Sequence, residues 1–211
     1  MAHNDVFRAR PAARSKFKAS MNKTHDSAPD TTYICTYLGH RFYPLEGRID
    51  RVHLEDIAHG LAYQCRFNGQ TSEFYSVGQH SMMVADIVSR EHPELRLPAL
   101  LHDASEAYLG DVVKPLKALL PEYKGIEERV ERIVAQAFGI MELFDPEIHA
   151  IIKRADMVAL ATEKRDLMPH SAEDWSYLRG FEPLPDPIVS MSPEQAKRSF
   201  LIEVNKARRS F

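Results

Sequence analysis

Residues 98–111 read Pro-Ala-Leu-Leu-His-Asp-Ala-Ser-Glu-Ala-Tyr-Leu-Gly-Asp. Leu100, Leu101 and Ala104 recur at helical spacing and Gly110 is a natural stop, so the stretch predicts a helix from Pro98 to Leu109. His102 and Asp103 are neighbours on it, about 100° apart around the axis, and both reach one ion only if it sits between their directions, close to the helix. Other helices then have to complete the ligand shell.

Working outward, the helical pattern continues on both sides. Ile57, Ala58, Leu61 and Ala62 share one face of a short helix that begins near Leu54 and ends near Arg66 to Gly69. A second helix runs from about Val77 to Arg90 with Val84, Ile87 and Val88 inside, and another from about Tyr123 to Phe138, closed by Gly139. Asp145-Pro146-Glu147 is a helix start with a capping carboxylate and proline in the first turn, and its apolar period extends through Ala155, Val158 and Ala159. Ser192-Pro193-Glu194-Gln195 forms a capping box for a last amphipathic helix with Phe200, Leu201 and Val204 inside. Its apolar face could serve a dimer contact or close the monomer core. Ahead of the helices, residues 32–37 are β-branched and aromatic, and Gly39 separates them from Arg41-Phe42-Tyr43, which suggests a short hairpin as an ornament. The expected fold is all-α, a helical bundle with a short N-terminal β-hairpin: one domain over 31–211 with its core in 54–167.

His80 lies near the start of the second helix and Asp156 deep in the helix that Asp145 caps. With His102 and Asp103 they make two imidazoles and two carboxylates, and helical bundles build metal sites by aiming such side chains inward from facing helices. This mixed nitrogen and oxygen set suits manganese, cobalt, nickel, iron or zinc better than calcium or magnesium. Four protein ligands leave coordination positions for water and substrate, and the chemistry indicated is metal-assisted hydrolysis. Glu106, one turn beyond the dipeptide, is placed to accept a proton from a metal-bound water. Asp111, just past the Gly110 stop, can fold back to the same mouth as a second acid or base.

Any one of these residues alone reads as structural, since a histidine among helices is more often a core or surface group than a ligand. The constellation reverses that reading. Glu106 has its own plain reading as a solvated helix residue, Asp111 as a turn cap, Arg66 as a helix-end charge, and Lys114 and Lys117 as surface lysines. His40, His53, His59, His92, His149 and His170 lack partners at ligand spacing and read as structural. Residues 169–190 carry Pro169, Pro183, Pro185 and Pro187 with Trp175 and Tyr177, an irregular segment that could cover a site or another subunit. The two aromatics read as packing or interface groups first and a substrate lid second.

His80, His102-Asp103 and Asp156 resemble the ligand set of the HD-domain metal-dependent phosphohydrolases. The run from His102 through Glu106, Gly110-Asp111 and Pro115-Leu116-Lys117, with Glu127 beyond it, is similar to the bacterial 5'-deoxynucleotidase branch, and the likeness covers roughly residues 55–167. It implies an all-helical HD fold, often a homodimer, that removes orthophosphate from a 5'-(deoxy)nucleoside monophosphate with cobalt, manganese or copper in support. Carried over by position, Arg66 would hold the phosphate, Glu106 and Asp111 would act on the attacking water and leaving oxygen, and Lys117 would sit near the phosphate or the dimer contact. That branch has a tryptophan packing on the sugar after the arginine, where this chain has Phe67. Related HD proteins cleave a dNTP to tripolyphosphate, which is the enzymatic alternative; a non-catalytic nucleotide-binding HD protein is the other.

The bulk properties agree with a soluble protein. At 211 residues, 44% apolar and 27% charged, the chain can bury one sizeable core, and its net charge of -3 offers no global basic field for nucleic acid. Cys35 and Cys65 form neither a disulfide framework nor a metal pair, which points to a reducing, cytoplasmic setting. No signal peptide or membrane span is read. Residues 1–30 carry six Arg and Lys between Arg8 and Lys23 with no sustained period, and read as a flexible basic extension.

Overall fold

Local chemistry at the helix ends places most of the elements. The structure, a computed structural model, describes residues 32–169 and 175–209; the N-terminal extension and His170 lie outside the described residues. Ile34–Phe211 forms one compact unit. Its α-helices are α1 (Leu54–Tyr63), α2 (Val77–Val88), α3 (Arg96–Leu100), α4 (Glu106–Leu109), α5 (Lys114–Lys117), α6 (Pro121–Phe138), α7 (Pro146–Leu167) and α8 (Pro193–Arg209), preceded by an antiparallel pair, β1 (Ile34–Cys35) and β2 (Arg41–Phe42). The fold is all-α with a short hairpin, as expected.

The caps behave as their residue types dictate. Asp145 accepts from the Glu147 and Ile148 N–H groups at 2.8 and 3.3 Å to open α7. Ser192 and Gln195 close a reciprocal box at the start of α8, with bonds of 3.3 and 2.9 Å. Gly139 ends α6 in the left-handed region at φ 70°.

Two features differ from the sequence reading, and a third bears on an alternative it left open. The helix expected over 98–109 is broken: α3 ends at Leu100, α4 begins at Glu106, and the intervening turns are held by 3.0–3.2 Å bonds such as Ala104 N–H to Leu101 O and Glu106 N–H to Asp103 O. A regular helix would send the Asp103 N–H to the Ala99 carbonyl, but the His102 ring Nδ1 occupies that carbonyl at 2.8 Å. The chain tightens there, and His102 Nε2 comes within 3.1 Å of Asp103 Oδ2. The hairpin is also more than an ornament. Phe42 is 2% exposed and stacks on Tyr108 of α4 at 3.9 Å, and the Leu38 N–H donates to Asp56 of α1 at 2.7 Å. Finally, α8 buries Ala196, Phe200, Val204 and Ala207 and packs on α1, α2 and α3, so its apolar face closes the monomer core.

α1 and α4 approach closely at Gly60, where a Cβ would lie 2.9 Å from the Cα and carbonyl oxygen of Ala107. Gly60→Ala gains about 1 kcal/mol of helix propensity, but backbone atoms cannot swing aside. The expected net result is a loss of about 1–3 kcal/mol, read from denaturant melts, with the displaced α4 carrying Glu106 along.

Candidate metal centre and its surroundings

The path of the chain explains why Arg66 faces α2. Gln64–Arg66 runs antiparallel to Tyr75–Val77, with the Arg66 N–H bonded to Tyr75 O at 2.9 Å and the Val77 N–H to Gln64 O at 3.0 Å. Ser76 then caps α2 by accepting from the Gln79 N–H at 3.1 Å. His80 follows within the first turns, fully buried.

His80, His102 and Asp103 present ligand atoms within 4.8 Å of one another, a group that could hold a metal ion. His102 Nε2 lies 3.1 Å from Asp103 Oδ2, and His80 Nε2 lies 3.6 Å from that oxygen and 3.3 Å from Asp156 Oδ1. The second Asp156 oxygen pairs with the exposed Lys153. Three of the sequence-predicted ligands therefore come together, and Asp156 reaches the group through its 3.3 Å contact with His80.

The donor chemistry fits a metal. His102 Nδ1 faces a carbonyl, which can only accept, so that nitrogen carries a proton and Nε2 is the ring atom turned to the site. His80 Nδ1 is bound to Glu163 Oε1 at 2.6 Å, which orients its ring the same way. Both Nε2 atoms are buried and, among the described residues, without a partner of hydrogen-bond geometry. Imidazoles with Nδ1 tied to a carbonyl or a carboxylate and Nε2 free are the usual arrangement of metal-binding histidines. The field is right too. Burial and Arg66 act to lower the His80 pKa, yet Glu163 and Asp156 outweigh them and push it up to about 9, so the site favours positive charge. Burial works against Asp103 ionisation, but His102 and His80 hold its carboxyl well below the usual range.

Glu163 was not anticipated. Fully buried on α7, two turns beyond Asp156, it accepts from Arg66 Nη2 at 3.0 Å and Nε at 3.2 Å while its other oxygen holds His80. Its position seven residues after Asp156, on the same helix face, is the signal that could have found it. Arg66 and His80 overcome the cost of its burial and keep its pKa low. Arg66 thus gives Nε and Nη2 to Glu163 and turns Nη1 toward Asp103, 4.0 Å away.

Glu106 opens α4 and is buried, with Oε2 lacking a partner among the described residues and Oε1 3.5 Å from Lys117 Nζ. Burial, with Asp103 and Asp111 nearby, raises its pKa well above the carboxylate norm. Asp111 is raised as well, by burial first, against the pull of Arg66. With its amide nitrogen turned toward the Glu106 carbonyl, Gln64 would donate to it at 2.9 Å and accept from the Asp111 N–H. Lys117 pairs with Glu127 as well as Glu106, so it neutralises the acids behind the site. Phe67 follows Arg66 in the left-handed region at φ 54°, its ring 5.3 Å from the Arg66 guanidinium carbon.

No protein-family model matches the chain. It is 38% identical over 149 residues to the uncharacterized protein YfdR of Escherichia coli (strain K12), a match covering 71% of this chain and 80% of YfdR. It is 37% identical over 145 residues to an uncharacterized protein of Rhodobacter capsulatus, covering 65% of this chain and 72% of that protein. The chain belongs to the family of YfdR. Among the described residues, no helix is long and apolar enough to cross a membrane.

Proposed function

We propose that this protein is a metal-dependent phosphohydrolase of the HD-domain type that removes orthophosphate from a nucleoside 5'-monophosphate. The observation that carries the reading is the convergence of two unpartnered Nε2 atoms on Asp103 and Asp156, with a cationic Arg66 and the buried acid Glu106 alongside. A divalent transition-metal ion held by His80, His102, Asp103 and Asp156 would supply Lewis-acid polarisation of the phosphoryl group and acidify water. Arg66, oriented by Glu163, neutralises the phosphate through the edge that Glu163 leaves free. Ionised once a bound cation offsets the burial that raises its pKa, Glu106 would take a proton through Oε2 from the attacking water as that oxygen bonds phosphorus. As the bond between phosphorus and the 5' oxygen breaks, Asp111, protonated at the start, gives its proton to the leaving oxygen, and the proton taken by Glu106 replaces it, leaving a nucleoside and orthophosphate. Lys117 and Glu127 hold Glu106 in place during this exchange.

The test is phosphate release from metal-stripped protein with Mn, Co, Ni, Fe, Zn or Mg restored in turn against NMPs, dNMPs and dNTPs. Orthophosphate from monophosphates, with a transition metal more effective than Mg, is the expected result. Tripolyphosphate from a dNTP would replace it with triphosphohydrolase activity, and binding without product would leave a nucleotide-binding protein. Glu106→Ala should keep metal stoichiometry and lose roughly 100- to 10,000-fold in kcat.

A further inference from the structure

Phe67, next to Arg66 in the chain and 5.3 Å from its guanidinium carbon, begins a row of three aromatic rings. Phe67 lies 6.1 Å from Trp175, which lies 5.9 Å from Tyr177 with the two planes only 24° apart. These are offset arrangements within the normal range for interacting rings. The wall is not core: Trp175 and Phe67 are half-buried and Tyr177 is 49% exposed.

Two lysines lie against this wall, each on an element that also carries a residue of the site. Lys164 Nζ sits 5.3 Å from the Trp175 ring, and its neighbour in α7 is Glu163, which holds both His80 and Arg66. Lys114 Nζ sits 5.4 Å from the Tyr177 ring, and it begins the short helix α5 whose last residue, Lys117, pairs with Glu106. Trp175 and Tyr177 are thereby set between the element that carries Asp156 and the element that backs the acid.

The backbone at Phe67 carries a cost. Phe67 and Asn68 are both left-handed, at φ 54° and 52°, and they are the positive-φ residues other than glycine among those described. Each such residue costs on the order of 1 kcal/mol or more, and strain of this kind collects at ligand-binding sites. Here it turns the Phe67 ring toward the wall and leaves the Arg66 side chain facing Glu163 and Asp103.

Resting on the phosphohydrolase reading, we propose that Trp175 and Tyr177, with Phe67 completing the face, stack the nucleobase of a nucleotide whose phosphate is at Arg66. A row of π-faces flanked by cations suits a planar base carried on an anion, and stacking of this type tolerates different bases. Specificity for a nucleotide over a plain sugar phosphate then comes from a segment outside the stretch that carries the ligands.

Trp175 is the single tryptophan of the chain, so its emission reports on the proposal directly. Adenosine 5'-monophosphate added to metal-loaded Glu106→Ala protein is expected to quench that emission saturably. Ribose 5-phosphate, which lacks a base, should compete without quenching. In the otherwise wild-type protein, Trp175→Ala should raise KM for adenosine monophosphate about 10-fold or more with kcat little changed, Trp175→Phe should restore most of it, and ribose 5-phosphate hydrolysis should be unaffected. Tyr177→Ala, which keeps the reporter, should weaken the quench. If adenosine monophosphate is hydrolysed while emission stays constant and Trp175→Ala matches wild type, the stacking face is overturned and the phosphohydrolase reading stands. If adenosine monophosphate quenches but no phosphate is released from any nucleotide, the stacking face is supported and the catalytic reading fails.

Discussion

Asp103→Ala is expected to lose metal and phosphate release together. Its Oδ2 lies 3.1 Å from His102 Nε2, 3.6 Å from His80 Nε2 and 4.0 Å from Arg66 Nη1, so one oxygen organises both imidazoles and the guanidinium. Even removal of an outer hydrogen-bond partner costs about 10- to 100-fold in metal affinity, and loss of a ligand should exceed about 100-fold. His102→Ala should behave alike, with the added release of the Ala99 carbonyl, which frees residues 101–105 to wind as regular helix. Calorimetric titration with Mn or Co and elemental analysis of the purified variants are the direct measurements. Full metal stoichiometry in Asp103→Ala would remove the centre described above.

Glu163→Ala should have the largest effect on folding. The carboxylate compensates Arg66 and His80 at bonds of 2.6–3.2 Å while itself 0% exposed, and its removal strands a guanidinium in the interior. Breaking such a pair costs about 3–5 kcal/mol, which for a chain of this size lowers Tm by roughly 10 °C. Glu163→Gln keeps the shape and one acceptor, and it should recover part of the stability. Its metal affinity should still fall about 10- to 100-fold, because the amide no longer fixes the His80 ring by charge. A purely structural Glu163 would leave the affinity of folded Glu163→Gln protein unchanged, which separates positioning from packing. Pairing Glu163→Gln with Arg66→Met should return stability without returning phosphate release, since both buried charges are then gone.

The elements legible in the sequence are those whose chemistry closes within a few residues. Asp145, Gly139 and the Ser192–Gln195 box satisfy helix ends from the adjacent turn, so the starts of α7 and α8 and the end of α6 are local facts. The four candidate ligands were legible for a different reason: imidazoles and carboxylates at bundle-facing positions have few other uses in combination. Tertiary structure decided the rest. Glu163 meets His80 across 83 residues and Arg66 across 97, and its spacing from Asp156 marks the helix face it shares but not the partners that bury it. The break at 101–105 depends on which acceptor the His102 ring finds, and Lys117 turns to Glu127 and Glu106 because α5 packs against α6. Phe42 enters the core only because Tyr108 offers it a face. The sequence by itself determined the helical class, its caps and the candidate ligand set; the packing of distant elements decided the orientation and counter-charges of those residues, because electrostatic environment is a property of neighbours in space.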